Sequence, residues 1–240
     1  MYAQTQAFTQ QTYHTGLDAQ TVNGGFDRFH LSSEHNASPI RRLRPHDSLF
    51  GEGDQVGFLY EILEGVVCNY KLLPDGRRQV ISFSYPGDLV GLGSSDTHAF
   101  GAEAVSPVQI RCISSATLRR TIERQPELGR TLLDATGREL ARIRNQLLTL
   151  GRRSAIERIA AFLIDVGERS GKCIDDGQVV DLPMTRADIA DFLGLTIETV
   201  SRNLTKLRTS GVIDLPQPTK VMVRDVGRLV DLAEGDGEEA

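Results

Sequence analysis

The chain has 240 residues, 40% hydrophobic and 25% charged, which is ordinary for a globular protein and long enough for one large domain or two small ones. Its formal charge of -5, taken whole, argues against nucleic acid, but Asp231, Glu234, Asp236, Glu238 and Glu239 crowd the end with no base after Arg228. Without them the C-terminal third is near neutral, and whole-chain charge does not rule on a local binding face.

Cys68, Cys112 and Cys173 include no C-x-x-C pair, so neither a zinc finger nor a disulfide framework is expected. No signal segment opens the chain, and no apolar run approaches the roughly 18 residues that span a bilayer. The expectation is a cytoplasmic protein with reduced thiols and no membrane partner.

Residues 1–37 are rich in Gln, Thr, His and Asn, with apolar residues that follow no period. They read as a flexible extension, since such a segment buries too little apolar surface to offset its ordering entropy. His14, His30 and His35 lie there, and solvated tail histidines outweigh a metal or haem ligand set; no metal site is expected.

From Ile40 to about Ser115 short apolar runs alternate with turn signals. Strands are expected over Leu59–Leu63, Gly65–Tyr70, Gln79–Phe83, Ala104-Val105 and Val108–Ile110, a spacing that suits a sandwich or barrel. Pro74-Asp75-Gly76 is the sharpest turn: proline presets φ and glycine supplies the positive φ that closes a hairpin. Gly91-Leu-Gly93 lacks a third glycine and a following helix, so it is no dinucleotide fingerprint.

The texture then becomes helical. Leu133, Thr136, Leu140, Ile143, Leu147 and Leu150 recur in steps of three and four, the spacing of a coiled-coil seam. A core-facing helix is the plainer reading, but so sparse a stripe suits a partner helix, which makes Leu133, Leu140, Ile143, Leu147 and Leu150 dimerisation candidates. Gly151 is expected to cap that helix. Ser154-Ala-Ile-Glu157 is a capping box that opens the next, Gly167 to Gly177 is a polar loop, and Val179–Leu182 reads as a short strand.

Thr185-Arg-Ala-Asp188 starts another helix, with Ile189, Ala190 and Leu193 inward. Gly194 supplies a turn, Thr196 can cap the following helix, and Val200, Leu204 and Leu207 form its buried face. This is the spacing of a helix-turn-helix. Glu198, Ser201 and Arg202 fall on the opposite face, where major-groove base edges would be met. Arg202 can give two bonds to guanine and Glu198 can accept from cytosine N4. A routine ion pair between Glu198 and Arg202 is the competing reading. Thr185, Thr196, Thr199, Thr205, Lys206 and Arg208 are candidate phosphate contacts, which supply salt-dependent affinity. Gly211 ends the helix, and Val212–Leu215, a Pro216–Thr219 turn and Lys220–Val223 read as a hairpin, the wing of a winged helix.

The β-rich start, the seam helix and the run Leu193-Gly-Leu-Thr-Ile-Glu-Thr-Val-Ser-Arg202 together resemble the CRP/FNR superfamily of bacterial transcription regulators, over roughly residues 38–233. The resemblance implies an α+β fold: a flexible extension (1–37), an N-terminal double-stranded β-helix or jelly-roll domain like those that bind cyclic nucleotides (38–120), a long dimerisation helix (121–151), a C-terminal winged helix-turn-helix (152–233) and an acidic tail (234–240). It implies no enzyme, but a homodimer bound to double-stranded DNA and working with RNA polymerase. Glu198-x-x-Ser201-Arg202 is similar to the reading motif of the FNR branch, which implies a palindrome of TTGAT and ATCAA half-sites. In the CRP branch an arginine precedes the glutamate and a glycine replaces the serine; Ile197 and Ser201 stand here.

The resemblance also bears on cofactors, and none is expected. The iron–sulfur cluster of the FNR branch takes three N-terminal cysteines and one in the β domain; residues 1–67 contain no cysteine, and Cys112 alone cannot hold a cluster that takes four ligands. In the cyclic-nucleotide pocket of the CRP branch, Leu92 stands where a glutamate would be, and no arginine lies between Gly93 and Ala104. Regulators of this pattern with neither cofactor resemble the FixK-type group, whose members activate genes for microaerobic respiration, nitrogen fixation or denitrification. A regulator of the same fold that senses haem, nitric oxide or a metabolite is the alternative; a non-DNA regulatory ligand-binding module or enzyme stands further off, since the sequence shows no Ser-His-Asp order, P-loop, H-E-x-x-H or paired-carboxylate arrangement. Cys173 is a candidate redox thiol, set against an inert loop thiol.

Overall fold

The structure, a computed structural model, describes residues 38–93, 96–171 and 174–235. The expected N-terminal extension with its three histidines, Cys173, and residues 236–240 of the acidic tail lie outside the described residues.

Eight strands come first: β1 (Ile40–Leu43), β2 (Ser48–Phe50), β3 (Phe58–Glu64), β4 (Val67–Leu72), β5 (Arg78–Ser84), β6 (Leu89–Val90), β7 (Gly101–Ala104) and β8 (Val108–Ser114). They form two antiparallel sheets, ordered β1-β8-β3-β6 and β2-β7-β4-β5. β1 pairs with β8, β2 with β7, β3 with β6 and β4 with β5, the nested pairing of a jelly roll. Alternation along the strands fills the space between the sheets: Leu43, Tyr60, Ile62, Val67, Val90, Ala102, Ala104, Val108 and Ile110 share one core. Gly76 has φ +83° and its N–H donates to Leu73 O at 2.9 Å, closing the β4–β5 turn as the Pro-Asp-Gly run predicts. The short strands β1, β2 and β6 carry no alternation long enough to read.

Two helices follow, α1 (Ser115–Arg124) and α2 (Pro126–Arg152), where the sequence reading has one beginning at 121. The break falls at Pro126, which has no N–H to donate to a preceding turn and is favoured at the first position of a new helix. Gly151 does not cap α2. It lies inside the helix, which runs on to Arg152; the extended backbone of Arg153 ends it. Only Arg153 and Ser154 separate α2 from α3 (Ala155–Arg169), whose start is held by Glu157, its carboxylate accepting from the Ser154 N–H at 3.0 Å.

The rest is a winged helix: β9 (Val179–Asp181), α4 (Arg186–Leu193), α5 (Ile197–Thr209), β10 (Ile213–Gln217), β11 (Lys220–Val223) and α6 (Val226–Glu234). The wing sheet has the order β10-β11-β9. Pro216 and Gln217 belong to β10, so the turn is confined to Pro218 and Thr219. Proline is tolerated there because β10 is an edge strand, and its register shifts between Asp214 and Gln217. α6, which the sequence reading lacks, buries Leu229 and Ala233 and packs against α3.

The apolar core of the winged helix is continuous with the jelly roll. Val66, Cys68, Val80, Phe83 and Tyr85 join Ile159, Phe162, Leu163, Ile189 and Leu193 in a single cluster. Phe83, Phe162 and Phe192 form a three-ring contact with centroids 5.3 to 6.3 Å apart. No helix among the described residues is long and apolar enough to cross a membrane.

Candidate nucleic-acid interface

The helix-turn-helix is built as its residues predict. Thr185 caps α4, its hydroxyl accepting from Asp188 N–H at 3.1 Å while the Asp188 carboxylate accepts from Thr185 N–H at 2.9 Å. Gly194, at φ +63° and ψ +39°, turns the chain in the left-handed region that glycine adopts without steric cost. Leu195 N–H then reaches Ala190 O at 2.9 Å. Thr196 caps α5 through Thr199 N–H at 3.2 Å. Ile189, Ala190 and Leu193 are buried against Val200, Leu204 and Leu207, which fixes the rotation of α5.

That rotation leaves Glu198, Ser201 and Arg202 exposed on the far side of α5. Among the described residues no ion pair joins Glu198 to Arg202. Glu198 is instead held below the ordinary carboxylate range by its own backbone N–H at the helix start and by the Thr196 hydroxyl. It therefore stays ionised as an acceptor, and Arg202 keeps its donors for another partner.

The candidate phosphate contacts are less alike than the sequence suggests. Lys206 and Arg208 are exposed and, among the described residues, form no ion pair. Thr205 donates its hydroxyl to Ser201 O at 2.9 Å and Thr185 donates to Asp188 at 2.6 Å, so both must exchange a bond to reach a phosphate. Thr196 and Thr199 face each other at 3.1 Å, and Thr199 is half-buried.

Sequence reasoning missed three arginines that hold this framework. Arg158 of α3 donates to the Leu193 carbonyl at 3.1 Å, satisfying an orphan acceptor at the end of α4. Arg186 reaches Pro218 O at 3.1 Å and ties the wing to α4, and Arg228 reaches Ser210 O at 3.0 Å beyond α5. All three are long-range contacts with no local signature, whereas α6 itself had one: Asp225 before Val226, Leu229, Val230 and Ala233, then Gly235.

The seam residues stand clear of the protomer. Leu133 is 71% exposed and Leu147 64%; Leu140 and Ile143 are also exposed, so this stripe does not face the core, whereas Leu128 and Leu132 in the first turns of α2 do, packing with Leu59 and Ile113. Leu150 is half-buried, its side chain 3.7 Å from where a Cβ on Gly194 would lie. The seam therefore ends against the helix-turn-helix. Thr136 donates to Leu132 O at 2.9 Å.

A cavity of about 380 Å³ lies between the jelly roll and α2, lined in part by Asn69, Ser82, Asp88, Leu92, Arg138, Glu139 and Arg142. Of its two arginines, Arg142 is committed to Asp88 at 3.1 Å and Glu139 at 3.3 Å.

A jelly roll, a long helix with a bare apolar seam and a winged helix with an exposed polar row define a transcription regulator. Two family models match: a cyclic nucleotide-binding domain over residues 40–125 and a Crp-like helix-turn-helix domain over residues 157–232. The chain is 46% identical over 167 residues to the nitrogen fixation regulation protein FixK of Bradyrhizobium diazoefficiens, covering 70% of each. It is 42% identical over 192 residues to the transcriptional activatory protein AadR of Rhodopseudomonas palustris, covering 80% of each. Among solved structures, FixK2 from Bradyrhizobium japonicum superposes with a TM-score of 0.76 at 35% identity, over 85% of this chain and 99% of that one. The chain belongs to the CRP/FNR superfamily, among its FixK-type regulators, and is a helix-turn-helix DNA-binding transcription regulator.

The first of those models raises the fit of a cyclic nucleotide. The residues present do not suit one. The described lining offers Asp88 and Glu139 carboxylates against Arg138 and an already paired Arg142, so a phosphate gains no net positive field, and Leu92 presents carbon.

Proposed function

We propose that two copies pair through the α2 seam and grip an inverted-repeat DNA site, each α5 reading one half-site. Arg202 takes guanine O6 and N7, Glu198 accepts from the paired cytosine, and Ser201 discriminates the neighbouring T·A pair. Lys206 and Arg208, with threonines 185, 196, 199 and 205, engage phosphates. The target is a TTGAT and ATCAA palindrome, and the bound dimer acts with RNA polymerase mainly as an activator. The names of the FixK relatives support genes of nitrogen fixation as the regulon, and the family resemblance adds microaerobic respiration and denitrification. The observation that carries this reading is the Glu198–Ser201–Arg202 row, exposed and, among the described residues, without an ion pair, on a helix whose other face is locked.

The test is a gel shift on the palindrome. Arg202→Ala should lose roughly 1–3 kcal/mol for each half-site and relax the preference for guanine at that position. Wild-type affinity in that variant and in Glu198→Ala would overturn the assignment.

One observation favours a second reading, a small-molecule effector in the cavity. Asn69 is buried there, donates to Ser82 and Ser84, and its carbonyl oxygen has no partner. DNA binding that changes with an added neutral metabolite carrying a hydrogen-bond donor would favour it; the same binding with and without extract would count against it.

A further inference from the structure

Arg78 leads β5 in the jelly roll, yet its guanidinium reaches the helix-turn-helix. One terminal nitrogen donates to Asp188 at 2.6 Å; the other donates to Glu103 of β7 at 2.8 Å and lies 3.2 Å from the Cys68 sulfur. The cation also sits 4.5 Å from the centre of the Tyr70 ring. Asp188 is the same residue that caps α4: one carboxylate oxygen serves Thr185 and the other takes Arg78. The next side chain, Gln79, donates to the Asp191 carbonyl at 2.6 Å, one turn further along α4. Two successive residues of one strand thus grip the helix that supports α5.

The grip leaves the outer face of α5 uncovered, since Glu198, Ser201 and Arg202 remain exposed. It aims the reading helix without hiding it. Aim matters because the two reading helices of a dimer must meet half-sites about one helical turn, ~34 Å, apart. The covalent connection gives little help: only Arg153 and Ser154 separate the dimer helix from α3, and two extended residues form a joint.

We propose that Arg78 is a positioning residue for DNA recognition, which holds α4 through Asp188 and so sets the distance between paired reading helices. It acts on spacing selectivity and not on the reading of a half-site. This rests on the palindromic reading above.

The experiment compares wild type, Arg78→Ala and Arg78→Lys on three duplexes: the palindrome, the palindrome with two base pairs inserted between half-sites, and a single half-site. Arg78→Ala should bind the palindrome roughly tenfold more weakly, bind the single half-site as wild type does, and show a smaller penalty for the insertion. Arg78→Lys, which keeps the charge, should recover part of the loss. Unchanged spacing preference in Arg78→Ala would overturn the proposal, as would an equal loss on all three duplexes, which marks a purely structural role.

Asp188→Asn provides a readout without DNA, because it keeps an oxygen to cap α4 and leaves Arg78 over Cys68. A loosened grip should open the shared core, so site-resolved alkylation of Cys68 in the folded variant should run several-fold faster than in wild type. Equal rates sink the proposal whatever the DNA results. Wild type that fails on every duplex counts instead against the palindromic reading.

Discussion

The Asp88 carboxylate, in the turn between β5 and β6, accepts from Arg169 of α3 at 2.5 Å. It also takes Arg142 of α2 at 3.1 Å and the Tyr85 N–H at 2.8 Å, so one side chain joins the jelly roll, the long helix and the winged helix. Arg169 is nearly buried over the Tyr85 ring, and removing Asp88 leaves the cation only the more distant Asp165 carboxylate at 4.0 Å. Asp88→Ala should cost about 3 kcal/mol in urea unfolding. A double replacement, Asp88→Leu with Arg169→Leu, should cost less than that single one, because an apolar pair leaves no stranded charge. A more damaged double variant would contradict this account of the node.

The seam makes a second prediction. Ile143→Asp places a carboxylate in a partner-facing stripe and touches little within the protomer, where Ile143 is exposed. The variant should elute as a folded monomer with unchanged circular dichroism, and it should lose the palindrome. A dimeric Ile143→Asp would show that α2 is not the pairing helix.

Lys206 and Arg202 should separate in salt titrations. Lys206→Ala should weaken binding evenly across sequences and reduce the slope of log affinity against log salt by about one. Arg202→Ala should mainly relax sequence preference. If Lys206→Ala leaves the slope intact, α5 is rotated differently on DNA.

Cys68 gives a pH dependence. Burial pushes its thiol from the ordinary 9.0 up to about 12, against the pull of Arg78. The folded state thus favours the neutral thiol: the contribution to stability is fully present below 9.0 and is lost as pH rises towards about 12. Raising the pH from ~8 to ~11 should lower the urea midpoint of wild type more than that of Cys68→Ala. At ~pH 8 the folded thiol should resist iodoacetamide while Cys112, which is half-buried, reacts first. Parallel alkaline limbs in the two proteins would place the titrating group elsewhere.

What the sequence made legible was local. Caps such as Thr185 and Asp188, the Gly194 turn and the three-four spacing of Leu140, Ile143 and Leu147 act within one or two turns of chain, so their pattern survives in one dimension. Longer jelly-roll strands such as β3 and β5 were equally plain, whereas β8 was read only over its first three residues. The nested pairing of β1 with β8 was implied only by family resemblance. Arg78 and Asp188 lie 110 positions apart, and each looked complete in its own neighbourhood, Arg78 after a turn and Asp188 in a cap. Gly151 misled because glycine beyond a periodic run commonly marks a stop, whereas here α2 takes Gly151 in and runs on to Arg152 before the extended backbone of Arg153 ends it.

The three-ring contact of Phe83, Phe162 and Phe192 bears on how the molecule can be taken apart. Residues 152–235 look like a detachable DNA-binding module, but excising them would present Phe162 and Phe192 to water without their roof. A shortened regulator or a chimaera with a foreign sensor would therefore need a substitute for Phe83 at the graft, not merely a linker of suitable length.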